Sequence, residues 1–352
     1  MSIPARLESA PSLRHFPFPV LVADIGGTNA RFAIISDAHA QSRVFGSVAT
    51  ADYPDLSQAA RAAVLDHTSV MPRTAVIAAA GPITGERISL TNADWVIEPR
   101  GLCAEFGLER LVVLNDFEAQ ALALPGLADD AVHQIGGGKA LAKGARVVLG
   151  PGTGLGVAAM VHASDTWVPI PGEGGHVELG PVSESDYRIW PHIERIGGRV
   201  SAERIISGSG LLHLARAVAS EAGLDRRFTE PRDVTLAADA GDEVGLRTMD
   251  AFVRALGRVA GDFAITFLAR GGVFLGGGIA KHIETYLAHP AFRTSFEAKA
   301  PHAGLMKTIP TFLIRHEQPA LEGLTAFARM PTLFAVELAG RSWTAEAGGP
   351  DE

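Results

Sequence analysis

The stretch LVADIGGTNARFAII, residues 21–35, decides the fold of this 352-residue chain. An apolar run from Leu21 to Ile25 meets a turn of small and polar residues, Gly26 to Asn29, and a second apolar run follows from Ala30 to Ile35. Short apolar runs on either side of a glycine turn are typical of two strands joined by a tight turn. The stretch therefore predicts strand, turn, strand.

A second stretch repeats this pattern about one domain length further along the chain. The run RVVL, Arg146 to Leu149, leads into Gly150-Pro151-Gly152-Thr153-Gly154, and the run LGVAAMV, Leu155 to Val161, follows. Two similar units at this spacing predict two structurally related halves.

Other strands and helices alternate along the chain. The predicted strands are Thr74 to Ala80, Leu111 to Leu114, Gly272 to Leu275 and Thr311 to Arg315. The predicted helices are Leu56 to Asp66, Glu118 to Leu124, Ala202 to Ala219 and Thr248 to Ala269. Such alternation predicts the α/β class, in which loops at strand ends carry the function.

Composition excludes several classes of protein. Acidic residues outnumber basic ones, 39 to 31, and the formal net charge of −8 argues against nucleic acid as a partner. No apolar run approaches the roughly 18 residues of a spanning helix, so no membrane partner is expected. The single cysteine, Cys103, excludes an internal disulfide and a cysteine-rich zinc site. Together with the lack of a signal-peptide core, these features predict a cytoplasmic protein.

Glycine is abundant, with 39 residues in the chain, or about 11% where ~7% is usual. The excess indicates either flexible linkers or many tight turns. Much of it stands in clusters that each follow an apolar run, which favours tight turns; the clusters are Gly26–Gly27, Gly150–Gly156, Gly172–Gly175 and Gly276–Gly278.

The first glycine turn has the pattern of an anion-binding loop. Gly26 and Gly27 let the chain fold tightly and present backbone N–H groups, while Thr28 and Asn29 add side-chain donors. Asp24 is a carboxylate that can hold Mg²⁺ through water, because Mg²⁺ keeps much of its hydration shell. A plain hairpin with a Gly-Gly turn is the alternative. The turn is not a Walker A loop, since no Gly-Lys-Ser/Thr follows it.

Two further glycine turns strengthen the phosphate interpretation. Gly150–Gly156 has four glycines in seven residues, and Gly276–Gly278 has three in succession. Three such turns favour nucleotide phosphates as the ligand. A dinucleotide-binding motif is disfavoured because a strand, not a helix, is predicted after Gly154.

Asn115 and Asp116 follow a predicted strand and precede a predicted helix. Either residue can cap that helix. A position at the carboxyl end of a strand is the usual ligand position in α/β proteins and favours a functional role. There a carboxylate can accept a hydroxyl proton, and an amide can bond to neighbouring hydroxyls.

An acid and an imidazole stand among glycines in Gly172-Glu173-Gly174-Gly175-His176. Presentation to a ligand is the favoured interpretation, because little packing would justify a Glu and a His there. A bare turn and a metal site are the alternatives, although no H-x-x-x-H pattern or cysteine supports a metal. Glu203 is expected in the first turn of a helix capped by Ser201, where the helix dipole alone would favour an acid.

Together these strings resemble the bacterial glucokinases, the ATP-dependent branch of the actin/hexokinase-like sugar kinases without a zinc motif. The resemblance runs from about Val20 to Arg329. It is carried by ADIGGTNARFAI, GPITGERISLTNADW, VLNDFEAQALALP, GPGTGLGVAAMV, PGEGGHVELGP, VSAERIISGSGL, GGVFLGGGIA and FLIRHEQPALEGLTAFAR. Pro151 departs from the family's commoner small residue, which is expected to stiffen the loop.

The resemblance implies an α/β, two-domain actin-like ATPase or ribonuclease H-like fold. A small α/β domain and a larger α+β domain are expected on either side of a cleft in which glucose and ATP meet. The implied boundaries are a flexible extension at 1–18, the small domain at 19–126 and 317–340, the large domain at 127–316, and a flexible tail at 341–352.

The resemblance also assigns residues. Asp116 is expected to be the catalytic base. The sugar is expected to bind Asn92, Asn115, Asp116, Glu173, His176 and Glu203. The nucleotide is expected at Ala23, Asp24, Ile25, Gly26, Gly27, Thr28 and Asn29, at Gly152, Thr153 and Gly154, and at Gly276, Gly277 and Gly278. Asp24 is also the candidate Mg²⁺ residue, acting through water.

The implied reaction transfers the γ-phosphoryl group of ATP to the 6-hydroxyl of D-glucose, giving glucose 6-phosphate and ADP, as the first step of glycolysis. A homodimer is also implied. One alternative is a kinase for another hexose, such as mannose, fructose or N-acetylglucosamine. The other is a catalytically silent sugar-sensing protein, against which the intact Asp116 and both phosphate loops argue.

Overall fold

A computed structural model describes residues 14–81, 83, 85–91 and 93–345. The contacts within it divide the chain into two compact units. Of the described residues, the first unit holds those up to Gly126, the segment His162–Pro169 and those from Gln318 onward. The second unit holds Leu127–Val161 and Ile170–Glu317.

Strands and helices alternate along much of the chain, as the α/β prediction requires. The strands are β1 (Val20–Ile25), β2 (Asn29–Ile35), β3 (Arg43–Val44), β4 (Val48–Ala49), β5 (Thr74–Ala79), β6 (Ile88–Ser89), β7 (Val96–Ile97), β8 (Arg110–Asn115), β9 (Val132–Gly136), β10 (Arg146–Pro151), β11 (Leu155–Ala163), β12 (Thr166–Gly172), β13 (Gly272–Leu275), β14 (Thr311–Ile314) and β15 (Ser342–Thr344). The α-helices are α1 (Leu56–Ala63), α2 (Pro99–Phe106), α3 (Asp116–Ala123), α4 (Glu184–Ile189), α5 (Gly208–Glu221), α6 (Pro231–Asp239), α7 (Glu243–Thr266), α8 (Gly277–His282), α9 (Glu284–Leu287), α10 (Pro290–Glu297), α11 (Ala303–Thr308) and α12 (Pro319–Arg329).

The first unit is built on a seven-stranded sheet in the order β15-β8-β5-β1-β2-β3, with β4 also paired to β2. Strand β1 runs antiparallel to β2 and parallel to β5, and β5 runs parallel to β8. The register aligns Ile25 with Ala79, and Ala79 with Asn115. The carboxyl ends of three neighbouring strands therefore lie at one edge of the sheet.

The second unit repeats this arrangement in a six-stranded sheet, in the order β12-β11-β10-β13-β14-β9. Here β10 runs antiparallel to β11 and parallel to β13, and β13 runs parallel to β14. Each sheet thus contains one tight hairpin followed by two parallel strands. The prediction of two structurally related halves is confirmed at the level of strand topology.

The long helix α7 supplies much of the core of the second unit. Phe252, Leu256 and Val259, three members of its predicted apolar face, are each at most 1% exposed. The helix begins five residues earlier than predicted, because Asp242 accepts a hydrogen bond from the N–H of Gly245 and so caps it. No helix within the described ranges is long and apolar enough to cross a membrane.

The described parts of the two expected flexible segments, residues 14–18 and 341–345, are more ordered than expected. Phe16, expected within the flexible extension 1–18, is 1% exposed and meets the Phe327 ring edge-on at 5.3 Å. In the expected flexible tail, β15 pairs antiparallel with β8, and Trp343 is 2% exposed. Burial of large aromatic rings against the sheet and α12 overrides the loose local sequence. Residues 1–13 and 346–352 lie outside the described residues.

Replacing Trp343 by alanine should strongly destabilise the protein, because truncating a buried tryptophan costs about 3–5 kcal/mol. Urea denaturation followed by far-UV circular dichroism measures this loss. Met71→Ala is the control, because that side chain is 54% exposed. A Trp343→Ala protein that unfolds at the same urea concentration as the parent would show that β15 is not part of the folded core.

Candidate functional site

The first glycine turn closes the β1–β2 hairpin in the first unit. The N–H of Gly26 donates to the carbonyl of Asn29 at 2.9 Å. Buried Thr50 holds the back of the turn: its hydroxyl donates to the carbonyl of Gly27 at 2.8 Å, and its N–H to that of Thr28 at 3.0 Å. Among the described residues, the N–H groups of Gly27 and Thr28 meet no acceptor. Two donors on a fixed loop are suited to an anion.

Asp24 stands beside this turn, on β1. Its carboxylate meets the Arg31 guanidinium at 3.4 Å, across the β1–β2 hairpin from which both side chains project. Burial raises the pKa of the Asp24 carboxyl, and the positive charge of Arg31 opposes that rise. The Asp24 side chain is only 15% exposed, so little water surrounds its carboxylate.

Asn115 and Asp116 stand at the junction of β8 and α3. The Asn115 side-chain oxygen accepts hydrogen bonds from the N–H groups of Phe117 and Glu118, at 2.9 and 3.2 Å, and so caps the helix. Its amide nitrogen donates to the carbonyl of Gly81 at 3.3 Å. The carboxylate of Asp116 also accepts from Phe117, at 3.0 Å. The capping interpretation is therefore confirmed for Asn115, and the cap fixes Asp116 as the first residue of the helix.

This junction and the first glycine turn lie at the same edge of the sheet. The register places Asp24 opposite Ala78 and Ala78 opposite Leu114, so a single strand separates β1 from β8. With strands about 4.8 Å apart, the two main chains are about 10 Å from each other. The first unit thus brings together the turn, Asp24 and the Asn115-Asp116 pair.

The second glycine turn, between β10 and β11, is tied to Glu203 in the second unit. The N–H of Gly152 donates to the carbonyl of Gly154 at 2.8 Å, and Gly152 accepts from the N–H of Gly208 at 2.8 Å. The Glu203 carboxylate accepts the N–H of Leu155 at 2.8 Å. A Cβ at Gly154 would lie 2.4 Å from that carboxylate, so a larger residue would displace it.

The third glycine turn lies directly against the second. The N–H of Gly276 donates to the carbonyl of Leu149 at 2.9 Å. Gly277 has φ +79°, a left-handed conformation that favours glycine, and a Cβ there would lie 2.6 Å from the carbonyl of Pro151. The turn and the β10 end therefore approach main chain to main chain.

Glu173 precedes a short 3₁₀ turn over Gly174–His176, and His176 is the last residue of that turn. Both side chains are exposed, and their carboxylate and imidazole groups lie 3.8 Å apart. No group of three or more potential metal ligands occurs in the part of the chain that the structure describes. Both side chains are therefore accessible to a ligand, and binding of a ligand by this pair stays a prediction.

Glu203 does not lie in a helix. The helix α5 begins at Gly208 and is capped by Ser207, so the predicted helix start at Ala202 is wrong. The Ser201 hydroxyl does accept the N–H of Arg204 at 3.3 Å, but it caps a turn and not a helix. The N–H of Ala202 donates to Val177, and that of Glu203 to Gly175, both at 2.8 Å. These long-range bonds hold the chain in a turn. They place Glu203 between the Glu173–His176 segment and the second glycine turn, and the helix-dipole alternative is excluded.

Most of the predicted residues thus collect in two groups. The first unit gathers Ala23, Asp24, Ile25, Gly26, Gly27, Thr28, Asn29, Asn115 and Asp116. The second gathers Gly152, Thr153, Gly154, Glu173, His176, Glu203, Gly276, Gly277 and Gly278. Asn92 lies outside the described residues. Two further residues of this region were not predicted. No motif marks Thr50, which bonds to the carbonyl of Gly27. Arg31 could have been found, because the symmetric register of a tight hairpin places it opposite Asp24.

Comparisons with known proteins show the family of the chain. A family model described as glucokinase matches residues 21–331. The chain is 52% identical over 327 residues to a glucokinase of Chelativorans sp. (strain BNC1), covering 93% of this chain and 96% of the relative. It is also 52% identical over 329 residues to a glucokinase of Rhizobium meliloti (strain 1021), covering 93% and 97%.

A solved structure shows the same fold. The crystal structure of a glucokinase from an Antarctic psychrotroph matches with a TM-score of 0.78 and 32% identity, over 88% of this chain and 98% of that one. The two related sheets therefore belong to a two-domain actin-like ATPase fold, as the sequence predicts.

Replacing Gly175 by alanine should destabilise the second unit, because the new Cβ would lie 2.0 Å from the Leu155 carbonyl oxygen. Main-chain atoms cannot move aside cheaply, so we expect a loss of about 1–3 kcal/mol or more in the free energy of unfolding. Gly172→Ala is the matched control three residues away, where nothing lies within 4 Å of the new Cβ. Equal melting temperatures for the two variants would contradict the close approach.

Proposed function

The chain belongs to the glucokinase family, and from this premise we propose that it transfers the γ-phosphoryl group of ATP to the 6-hydroxyl of D-glucose with Asp116 as the base. The products are glucose 6-phosphate and ADP. One observation supports the assignment of the base: the Asn115 cap sets Asp116 as the first residue of α3, at the sheet edge that also carries the first glycine turn, where two N–H groups meet no acceptor among the described residues.

In the proposed reaction, the Asp116 carboxylate accepts the proton of the sugar's primary hydroxyl as that oxygen attacks the γ-phosphorus in line. Phosphoryl transfer passes through a loose transition state, so positioning and charge stabilisation provide most of the catalysis. A residue in the first position of a capped helix has little backbone freedom, which suits this task. Asp116 is therefore both a proton acceptor and part of the device that orients the hydroxyl.

The sugar ring hydroxyls are proposed to bind Asn115, Glu173, His176 and Glu203, and also Asn92. Glu203 has one carboxylate oxygen engaged with the N–H of Leu155, which leaves its other oxygen for a sugar hydroxyl. Carboxylates that accept hydroxyl hydrogen bonds discriminate well between epimers, because a missing partner leaves a buried charge unsatisfied. The set therefore suits glucose over its epimers.

The phosphates are proposed to bind the turns at Gly26–Asn29 and Gly152–Gly154, with the adenosine near Gly276–Gly278. Asp24 is proposed to hold Mg²⁺ through water: its carboxylate stands on β1 just before the first glycine turn and keeps 15% of its surface exposed. When bound, Mg²⁺ supplies neutralisation of phosphate charge.

We also propose a homodimer that acts in the cytoplasm at the first step of glycolysis. The family resemblance supports the dimer, and the use of ATP together with a single, buried cysteine supports the compartment. Sedimentation equilibrium of the full chain tests the dimer, and a monomer at micromolar concentration would contradict it.

Asp116→Asn should lower kcat by at least a thousandfold while glucose binding survives. Asparagine keeps an acceptor for the Phe117 N–H and so keeps the fold, but it cannot take a proton. A coupled assay measures kcat, and tryptophan fluorescence titration measures glucose binding. Asp129→Asn, at an exposed surface residue, is the control. A near-normal kcat in Asp116→Asn would exclude this residue as the base.

Substrate specificity is tested with a panel of sugars. With ATP and Mg²⁺ we expect glucose to give a kcat/KM at least tenfold above those of mannose, fructose and N-acetylglucosamine. A preference for another sugar on this panel would identify a kinase for a different hexose. Sugar binding without turnover of any of them would indicate a sugar-sensing protein.

A further inference from the structure

A fully buried carboxylate lies two residues beyond the proposed base. Glu118, in the first turn of α3, is 0% exposed, and its carboxylate accepts a 2.6 Å hydrogen bond from the Arg341 guanidinium. The Arg341 side chain is itself 12% exposed. A charge-assisted bond of this length between buried partners fixes both side chains in one geometry. Arg341, which was expected in a flexible tail, is thus bound to α3, the helix that begins at Asp116.

The main chain around Arg341 is tied to the strand that leads into that helix. Its carbonyl accepts the N–H of Val113 at 3.0 Å. The next three residues form β15, paired with β8, and the Ser342 hydroxyl accepts from the Arg110 guanidinium at 2.9 Å. Arg341 therefore bonds to β8 through its backbone and to α3 through its side chain. It spans the junction at which Asn115 and Asp116 stand.

Helix α3 also packs on α12, without room for adjustment. A Cβ at Gly323 would lie 1.9 Å from the Ala119 carbonyl oxygen, so the two helices are in main-chain contact. Burial raises the pKa of the Glu118 carboxyl, while the charge of Arg341 and the backbone N–H of Asn115 lower it. The helix is thus held by main-chain packing on α12 and by the Glu118–Arg341 ion pair.

We propose that the Glu118–Arg341 pair is a positioning device, which sets the orientation of the α3 N-terminus and so of the Asp116 carboxylate. The pair touches no reacting atom. The inference rests on the proposed role of Asp116 as base. It also extends the functional part of the chain beyond residue 331, where the family model ends.

The test compares Arg341→Met, Arg341→Lys and the double variant Glu118→Gln/Arg341→Met. Arg341→Met leaves a buried carboxylate without its cation, so both stability and catalysis should fall. The double variant removes both charges and should recover its melting temperature. We expect its kcat to remain at least tenfold below that of the parent, since a misplaced catalytic group is costly even in a stable fold. Its KM for ATP should change by less than about threefold. Arg341→Lys should recover part of the kcat.

An exposed ion pair of the same unit, Arg73–Glu109, provides the control. Arg73 and Glu109 are joined by a 3.0 Å hydrogen bond, but their side chains are 55% and 49% exposed. Arg73→Met should leave kcat unchanged, because exposed pairs contribute little. A double variant that recovers both melting temperature and kcat would show that the pair is only structural and would overturn the inference. Asp116→Asn is assayed in parallel: if it keeps its kcat, the proposed base fails, whatever the pair variants do.

Discussion

The parallel pairing of β1 with β5, and of β5 with β8, is the constraint on which the candidate site of the first unit depends. Parallel strands end at the same edge of a sheet, so the residues that follow Ile25, Ala79 and Asn115 are neighbours although up to 90 positions separate them. The second unit obeys the same rule with β10 and β13, which brings its two glycine turns together. Because the two sheets share this topology, each unit has an edge at which the N–H groups of a glycine turn lie near candidate site side chains.

Close contact between main chains is the second requirement. At Gly175, Gly277 and Gly323, a Cβ would lie within 2.6 Å of a carbonyl oxygen elsewhere in the fold. These contacts let turns and helices approach closely enough to hold Glu203 and Asp116 in fixed positions. Part of the glycine excess therefore serves packing, and only part serves the turns proposed to bind phosphate. Composition alone could not divide the two.

Two carboxylates of low exposure in the first unit, Asp24 and Glu118, are each paired with an arginine. Asp24 faces Arg31 across a hairpin, and Glu118 faces Arg341 across more than 200 positions. Burial raises the pKa of both carboxyl groups, and the guanidinium opposes it in each case. In both pairs the guanidinium charge favours the ionised carboxylate and opposes the effect of burial. Electrostatic pairing thus ties β1 to β2 beside the first glycine turn, and α3 to the chain around Arg341.

The sequence by itself determined the class of fold, the hairpins, the two related halves and the motif residues that the structure gathers in each unit. Those features depend on local periodicity and on turn chemistry, which neighbouring residues encode. The resemblance to a family then supplied roles for particular residues, and these remain proposals. The pairing of Asp24 with Arg31 could also have been predicted from the sequence, because a tight hairpin fixes its own register.

Only the tertiary structure decided the rest. Residues 202–206 form a turn that is separate from α5, because the extended residue Ser207 interrupts the chain and the N–H of Gly208 bonds to the distant carbonyl of Gly152. Residues 342–344 form a strand because Trp343 is buried when β15 pairs with β8. Glu118 keeps Arg341 as its partner for the same reason. In each case the stabilising contact joins residues far apart in the chain, and no local pattern of residues records such a contact.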